Sequence, residues 1–303
     1  MNFISKKYIF LAFSGLLMFA SILAVAVWGL KLGIDFQGGS LLEIQYLQDR
    51  PSAGEIQKNV ESLKLGPVFI QPVGDKGFLL RFHHVEETTH QAILLALQKN
   101  TKPVEKRFDT IGPTIGAELK RQSILALGLA IAGIVLYITW AFRTVSKPVA
   151  SWKYGIVTIV ALLHDVIIPI GFFAYLGHTR GVEMDTLFIS ALLTILGFSV
   201  HDTIVVFDRI RENLRKLKNP ESFANTVNRS IQETLTRSIN TSLTVILVLV
   251  AIVMWGGSST YYFALALLVG IISGTYSSIF VASPLLVVWQ EWSQRKVSKR
   301  SVN

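Results

Sequence analysis

Apolar and polar positions follow two different rhythms along this chain. Six long blocks, Tyr8–Leu30, Ile124–Phe142, Gly155–Leu176, Leu187–Phe207, Ile239–Trp255 and Tyr261–Trp289, are apolar almost throughout. They reach or approach the roughly 20 residues that carry a helix across a bilayer. The last is longer than a bilayer requires, which implies tilt or extension past the interface. The first follows Lys6 and Lys7 and contains Ala24-Val25-Ala26, as a cleavable signal would. Its apolar stretch outruns the ~7–15 residues of a signal core, which favours a retained span.

Between the first two blocks the rhythm shortens. "SLLEIQY" (40–46) alternates with period two, as a half-buried strand does. Ser52 with Glu55 forms a capping box opening a helix at "AGEIQKNVESL", and Thr88 with Gln91 predicts a second at "THQAILLALQKN". "PVFIQPV" (67–73) and "GFLLRF" (77–82) predict strands joined by the turn residues Gly74-Asp75, and "VEKRFDTI" (104–111) a last strand. The order β-α-β-β-α-β predicts a ferredoxin-like fold. The expected architecture is a polytopic α-helical membrane protein with six transmembrane helices. A small α+β domain, residues 31–120, lies between the first span (1–30) and spans two to six (121–289), and a basic tail (290–303) ends the chain.

Composition agrees. Of 303 residues, 51% are apolar and 16% charged, with a mean hydropathy of +0.48. Soluble domains carry about a quarter charged residues. The net charge of +9 raises nucleic acid as a partner, but topology accounts for much of it. Arg143, Lys147 and Lys153 lie between spans two and three. Arg209, Arg211, Arg215, Lys216, Lys218 and Arg229 lie between four and five, and Arg295, Lys296, Lys299 and Arg300 in the tail. The opposite connections carry only Arg180 and the uncharged "GGSSTYY" (256–262). The positive-inside rule then places both termini in the cytoplasm and residues 31–120 outside it. Cysteine is absent, which excludes disulfides, thiolate metal sites and cysteine nucleophiles. No GxxxxGKS/T, HExxH or GxSxG occurs, so neither an enzyme nor a bound cofactor is expected. His83, His84 and His90 are expected to be surface and strand residues rather than a metal site.

The informative residues are charges inside apolar blocks. Span four ends in "FSVHDTIVVFDRIREN" (198–213), with His201 and Asp202; span three holds His164 and Asp165 in "ALLHDVII" (161–168). At ~1.5 Å per residue, Asp165 lies about 15 Å and Asp202 about 10 Å from the cytoplasmic face. The two pairs therefore reach comparable depth on oppositely running helices, facing each other or a shared hydrated cavity. Arg237, at the entry of span five, is within snorkelling reach of Asp202, and Ser238, Thr241, Ser242 and Thr244 give that end a polar face. Two readings follow. Asp202 and Arg237 form a static buried pair fixing helix register, or Asp202 titrates and changes partner, coupling ion passage to helix movement. His201 and His164 serve as support to these charges or as packing residues. Arg209 and Arg211, where span four leaves the bilayer, are placed near anionic headgroups, so membrane lipids are a further partner. In span six Gly270, Gly274, Ser278 and Ala282 recur every four residues, a face for close helix contact within the bundle or with another subunit. Pro284 is expected to bend that helix.

These stretches in this order resemble the SecF family of bacterial protein-export subunits, within the resistance-nodulation-division superfamily. The resemblance rests on "GIDFQGGSLLEI" (33–44), "IGPTIGAELKRQSILAL" (111–127), "ALLHD" (161–165), "HDTIVVFDRIREN" (201–213), "TLTRSINTSL" (234–243) and "SGTYSSIFVASPL" (273–285). It implies a bacterial inner-membrane subunit paired with SecD in a twelve-span unit. Working on the SecYEG channel, with SecA, YidC and YajC as further associates, that unit uses the proton or sodium gradient to pull unfolded secretory polypeptide outward. Asp202 falls on the family's transport carboxylate, Arg237 on its arginine and Asp165 on a recurrent motif. The coupling ion, H⁺ or Na⁺, would be the only small species involved. Gly33, Gly38 and Gly39, with Gly112, suggest hinges by which bundle movement reorients the external domain. Two other classes are weighed against this. A small-molecule or lipid exporter is disfavoured by the single small external domain, and a scaffold would tolerate loss of Asp202 and Arg237 but not of the Gly270/Gly274 face.

Overall fold

The computed structural model describes residues 2–48, 50–98, 102–141, 149–216 and 221–300. Phe142, Arg143, Lys147 and Lys218, used in the span and charge readings, lie outside these, as do the side chains of Lys296, Lys299 and Arg300. The chain forms two compact units. Lys31–Leu125 together with Arg180–Thr186 make one, and the remaining helical segments the other.

The first unit holds a four-stranded antiparallel sheet of β1 (Gly39–Tyr46), β2 (Phe69–Val73), β3 (Gly77–Phe82) and β4 (Pro103–Ile111), in the order β2-β3-β1-β4. Helices α3 (Ala53–Glu61) and α4 (Glu87–Leu97) connect β1 to β2 and β3 to β4, which completes the ferredoxin-like topology. Alternation sets the core. Leu42, Ile44 and Tyr46 of β1, with Phe78, Leu80 and Phe82 of β3, turn inward onto Ile56 and Val60 of α3 and Ile93 and Leu97 of α4. Each such side chain contributes about 1.5–3 kcal/mol by leaving water. Burial pushes the Tyr46 phenol up to about 12. Between Glu43 and Ile44 the β1–β4 register shifts, leaving Lys106 as the extra residue of a bulge.

The capping box at Ser52 forms: its hydroxyl accepts the Glu55 N–H at 3.3 Å, and the Glu55 carboxylate accepts the Ser52 N–H at 2.8 Å. The one expected at Thr88 does not. The helix begins at Glu87, so Thr88 is already inside its first turn, and Gln91 bonds the Glu87 carboxylate instead. His90 also departs from expectation. It is a buried helix residue whose ring stacks on Phe108 and lies 3.2 Å from both Glu87 and Glu105. Folding β4 over α4 supplies the Glu105 carboxylate that sequence spacing hides. No group of three or more His, Asp or Glu side chains is placed to hold a metal ion among the described residues.

The segment 180–186 belongs to this unit because hydrogen bonds bind it there. Leu32 and Met184 form a parallel bridge, with Gly33 N–H on the Met184 carbonyl and Met184 N–H on the Lys31 carbonyl, both at 2.8 Å. Gln71 donates to the Arg180 carbonyl at 2.9 Å, and Arg81 lies 3.0 Å from Glu183. Asp35, in the single turn α2 (Ile34–Gln37), accepts the Thr186 N–H and hydroxyl at 2.8 and 2.6 Å. Gly38 (φ +75°) carries the chain into β1 so close to Pro113 that a Cβ would sit 2.7 Å from the proline Cα. Gly39 also has positive φ, whereas Gly112 faces open space.

The second unit consists of α1 (Lys7–Trp28), most of α5 (Pro113–Ala141) and α6 (Ser151–Arg180), α7 (Thr186–Lys216) from Leu187 on, α8 (Phe223–Trp255), and a final helix running as α9 (Ser258–Ser277), a π-helical stretch Ser278–Ala282 and α10 (Ser283–Arg300). Among the described residues, six helices are long and apolar enough to cross a membrane. Their apolar windows differ sharply in burial: 61% for the last and 56% for α6, but 6% for α1 and α5. The centre is therefore α6, α7 and α9, and the outer helices offer apolar side chains to lipid or to other spans. Where the sequence predicts a bend near Pro284, the helix widens into the π stretch. Proline has no N–H to donate, and the wider turn accommodates the loss.

Candidate functional site

The small-residue face of α9 packs inside its own bundle. A Cβ on Gly270 would lie 2.1 Å from Ile195 Cδ1, and one on Gly274 3.1 Å from Ser199 Cβ. Ser278 continues the row and meets Thr203 hydroxyl to hydroxyl at 2.9 Å. Positions 195, 199 and 203 of α7 thus run beside 270, 274 and 278, so the two helices are parallel. Their four-residue spacings interlock.

Close approach brings polar groups together that lie far apart in sequence. Asp165, fully buried on α6, accepts from Ser199 of α7 and, at 2.7 Å, from Ser277 of α9; Ser273 donates to its other oxygen at 3.4 Å. His164 Nδ1 lies 2.9 Å from the same carboxylate, while its Nε2 is buried with no partner among the described residues. Pro169, four residues on, cannot donate to the Asp165 carbonyl, which leaves that oxygen without its helical hydrogen bond. A carboxylate in hydrocarbon is held here by hydroxyls from two neighbouring helices, which meets the requirement that buried charge be hydrogen-bonded.

Asp202 lies one turn beyond Ser199 on α7 and is also buried. Its Oδ1 accepts the Ser238 hydroxyl of α8 at 2.6 Å, and its Oδ2 has no partner among the described residues. Ser242, one turn along α8, bonds Thr275 of α9 at 2.6 Å. Hydroxyls therefore line the surfaces where α7, α8 and α9 meet. Hydroxyls both donate and accept and can rotate, so such a lining can pass a proton or reorganise around a charge.

The sequence places Arg237 beside Asp202; the structure places Ser238 there. Successive helical residues point about 100° apart, so when Ser238 faces α7 its neighbour Arg237 turns outward. Arg237 is exposed, as are Thr241 and His201. Arg209, at the exit of span four, pairs with Glu233 and Glu212, both at 2.6 Å. Sequence patterning alone does not distinguish Ser199, Ser273 and Ser277, though each lies beside the small-residue row.

The family profile described as protein export membrane protein SecD/SecF, C-terminal, matches residues 92–292, and the SecD/SecF GG motif matches residues 25–46. The protein translocase subunit SecF of Thermobaculum terrenum is 42% identical over 97% of this chain and 96% of its own length, and that of Anaerolinea thermophila 38% over 99% and 97%. A crystal structure of SecDF from Thermus thermophilus, a translocon-associated membrane protein, superposes with a TM-score of 0.83 at 34% identity over 96% of this chain. This chain spans 39% of that SecDF, as it does of the SecDF subunit of Bacillus subtilis. It belongs to the SecD/SecF family of protein-export membrane proteins and matches SecF members along nearly their whole length.

Proposed function

We propose that this chain is the SecF half of an ion-driven export motor. Paired with SecD, it uses the proton or sodium gradient to promote late translocation of unfolded secretory polypeptide through the SecYEG channel, without covalent chemistry or a bound cofactor. Both termini face the cytoplasm, and the sheet-containing unit works outside the bacterial inner membrane. SecA, YidC and YajC are associates of the assembled machine.

The observation that carries the reading is Asp202. One carboxylate oxygen meets a neutral hydroxyl and the other has no hydrogen-bond partner among the described residues, in the interior of a helical bundle. A carboxylate at mid-membrane costs about 2.5–3.5 kcal/mol on the insertion scale, a cost that a structural role does not need. A site with one open oxygen has room for a proton or a cation. Arg237, Thr241 and His201 are exposed polar groups on α7 and α8, and intramembrane polar groups face protein or water rather than lipid. The second six-span half supplied by SecD is the cover this reading assigns them. The electrical gradient offers about 2.3 kcal/mol per charge per 100 mV. A full 1:99 to 99:1 swing between two states needs about 5.5 kcal/mol, so several ions or a ΔpH contribution complete each cycle.

The test compares wild type with Asp202→Asn in membranes containing SecD and the channel, after equal insertion and assembly are verified. Loss of the gradient-dependent part of export in the assembled variant is the expected result. Full retention sinks the reading and leaves a scaffold role, in which the Gly270/Gly274 face matters and Asp202 does not.

A further inference from the structure

Helix α7 carries both Ser199 and Asp202, and its first residue is not free. The opening amides of any helix lack intrahelical partners. Here the Thr186 N–H and hydroxyl are both taken by Asp35, a residue about 150 positions earlier that sits in the "GIDFQGG" stretch. A carboxylate at a helix N-terminus is favoured twice, by hydrogen bonding and by the helix dipole. The six residues before Thr186 are held too, through Arg180 to Gln71, Glu183 to Arg81, and Met184 to Lys31 and Gly33. The chain passes from the sheet-containing unit into the helical bundle between Thr186 and Leu187.

We infer that Asp35 is a positioning residue: it grips the N-terminus of α7, so that displacement of the helix bearing Asp202 is delivered to the sheet-containing unit rather than lost in a slack connection. The inference rests on the ion-coupled reading above. It makes the 31–35 stretch a permanent strap on 184–186, not a joint that opens during the cycle. Asp35 needs no charge change and touches no ion; its work is done through Thr186.

The absence of cysteine allows a clean test in the full chain assembled with SecD and the channel. Gradient-dependent export and deuterium exchange of the first-turn amides of α7 are measured for Asp35→Ala, Asp35→Asn, and Asp35→Ala combined with Leu32→Cys and Met184→Cys. Asp35→Ala should lose the gradient-dependent part of export while keeping the rest, with first-turn exchange faster by on the order of fivefold, the factor for one lost helix cap. Asp35→Asn retains an acceptor oxygen and should behave as wild type. Oxidising the 32–184 cysteine pair should restore gradient dependence to Asp35→Ala, and reduction should remove it again. If Asp35→Ala fails to assemble, Thr186→Val removes the hydroxyl donor alone and should shift both readouts in the same direction by less.

Unchanged export or unchanged exchange in Asp35→Ala overturns the inference, as does Asp35→Asn failing like alanine, which would assign the role to charge. An oxidised cysteine pair that stops export in the otherwise wild-type chain also overturns it, because the strap would then have to open. If wild type shows no gradient-dependent export, the ion-coupled reading fails by itself, and the exchange measurement still decides whether Asp35 holds α7.

Discussion

Asp165 shows how a single residue can be costly alone and stable in company. Its carboxylate is fully buried, yet hydroxyls of Ser199, Ser273 and Ser277 surround it. A hydrogen bond to a charged group contributes about 1.5–3 kcal/mol, so Ser277→Ala should lower unfolding stability in detergent by about that much, while exposed Thr241→Ala stays within about 0.5 kcal/mol. Glu183 makes a second prediction. Burial raises its pKa above the ordinary carboxylate range, and the opposing pull of Arg81 and Lys31 does not cancel this. A raised folded value means the contribution is complete below the ordinary carboxylate pKa and is lost as pH rises through the raised one. Hydrogen exchange across 180–186 should therefore quicken as pH rises through that window, after correction for intrinsic rates, and Glu183→Gln should flatten the trend.

At the scale of elements, close approach between helices depends on particular glycines. Gly171 of α6 lies so near α1 that a Cβ would fall 2.4 Å from Ser21 Cα, and backbone cannot rotate away as a side chain can. Gly128 of α5 has nothing within 4 Å. Gly171→Ala should therefore cost about 1–3 kcal/mol or more, from forced separation of α1 and α6, and Gly128→Ala should cost nothing. Melting in one detergent compares the two directly. The Gly270 contact is intermediate, because the atoms in the way belong to the Ile195 side chain. Elements were largely legible beforehand: β1, β3 and the Ser52 cap fall where period and capping residues place them. The Thr88 pattern misleads because a capping pair is neither required nor sufficient for a helix start: the helix begins two residues earlier, at Glu87, behind Glu86 and without a side-chain cap.

For the whole molecule, the described helices divide into a buried set, α6, α7 and α9, and an outer set with exposed apolar faces. Arg237 lies on an exposed side of α8, near the middle of that helix, in a stretch rich in hydroxyls. Arg237→Ala should thus leave unfolding of the isolated chain unchanged within about 0.5 kcal/mol, since the side chain is exposed and makes no hydrogen bond or ion pair among the described residues. In the assembly with SecD the same substitution should remove gradient-dependent export. A large stability loss in the isolated chain would place the guanidinium in an internal pair instead.

The sequence alone determined that this chain crosses a membrane six times, carries a β-α-β-β-α-β domain after the first span, and holds carboxylates in spans three and four. Each of these depends on local periodicity and on residue types that few other environments tolerate. Tertiary structure decided the partners. Ser199, Ser273 and Ser277 converge on Asp165 only because α9 lies parallel to α7, and Ser238 rather than Arg237 meets Asp202 because a rotation of about 100° separates adjacent helical residues. Asp35 reaches Thr186 across ~150 positions for the same reason. Contacts between distant segments depend on helix rotation and packing, which the chain as a whole sets and no short stretch encodes.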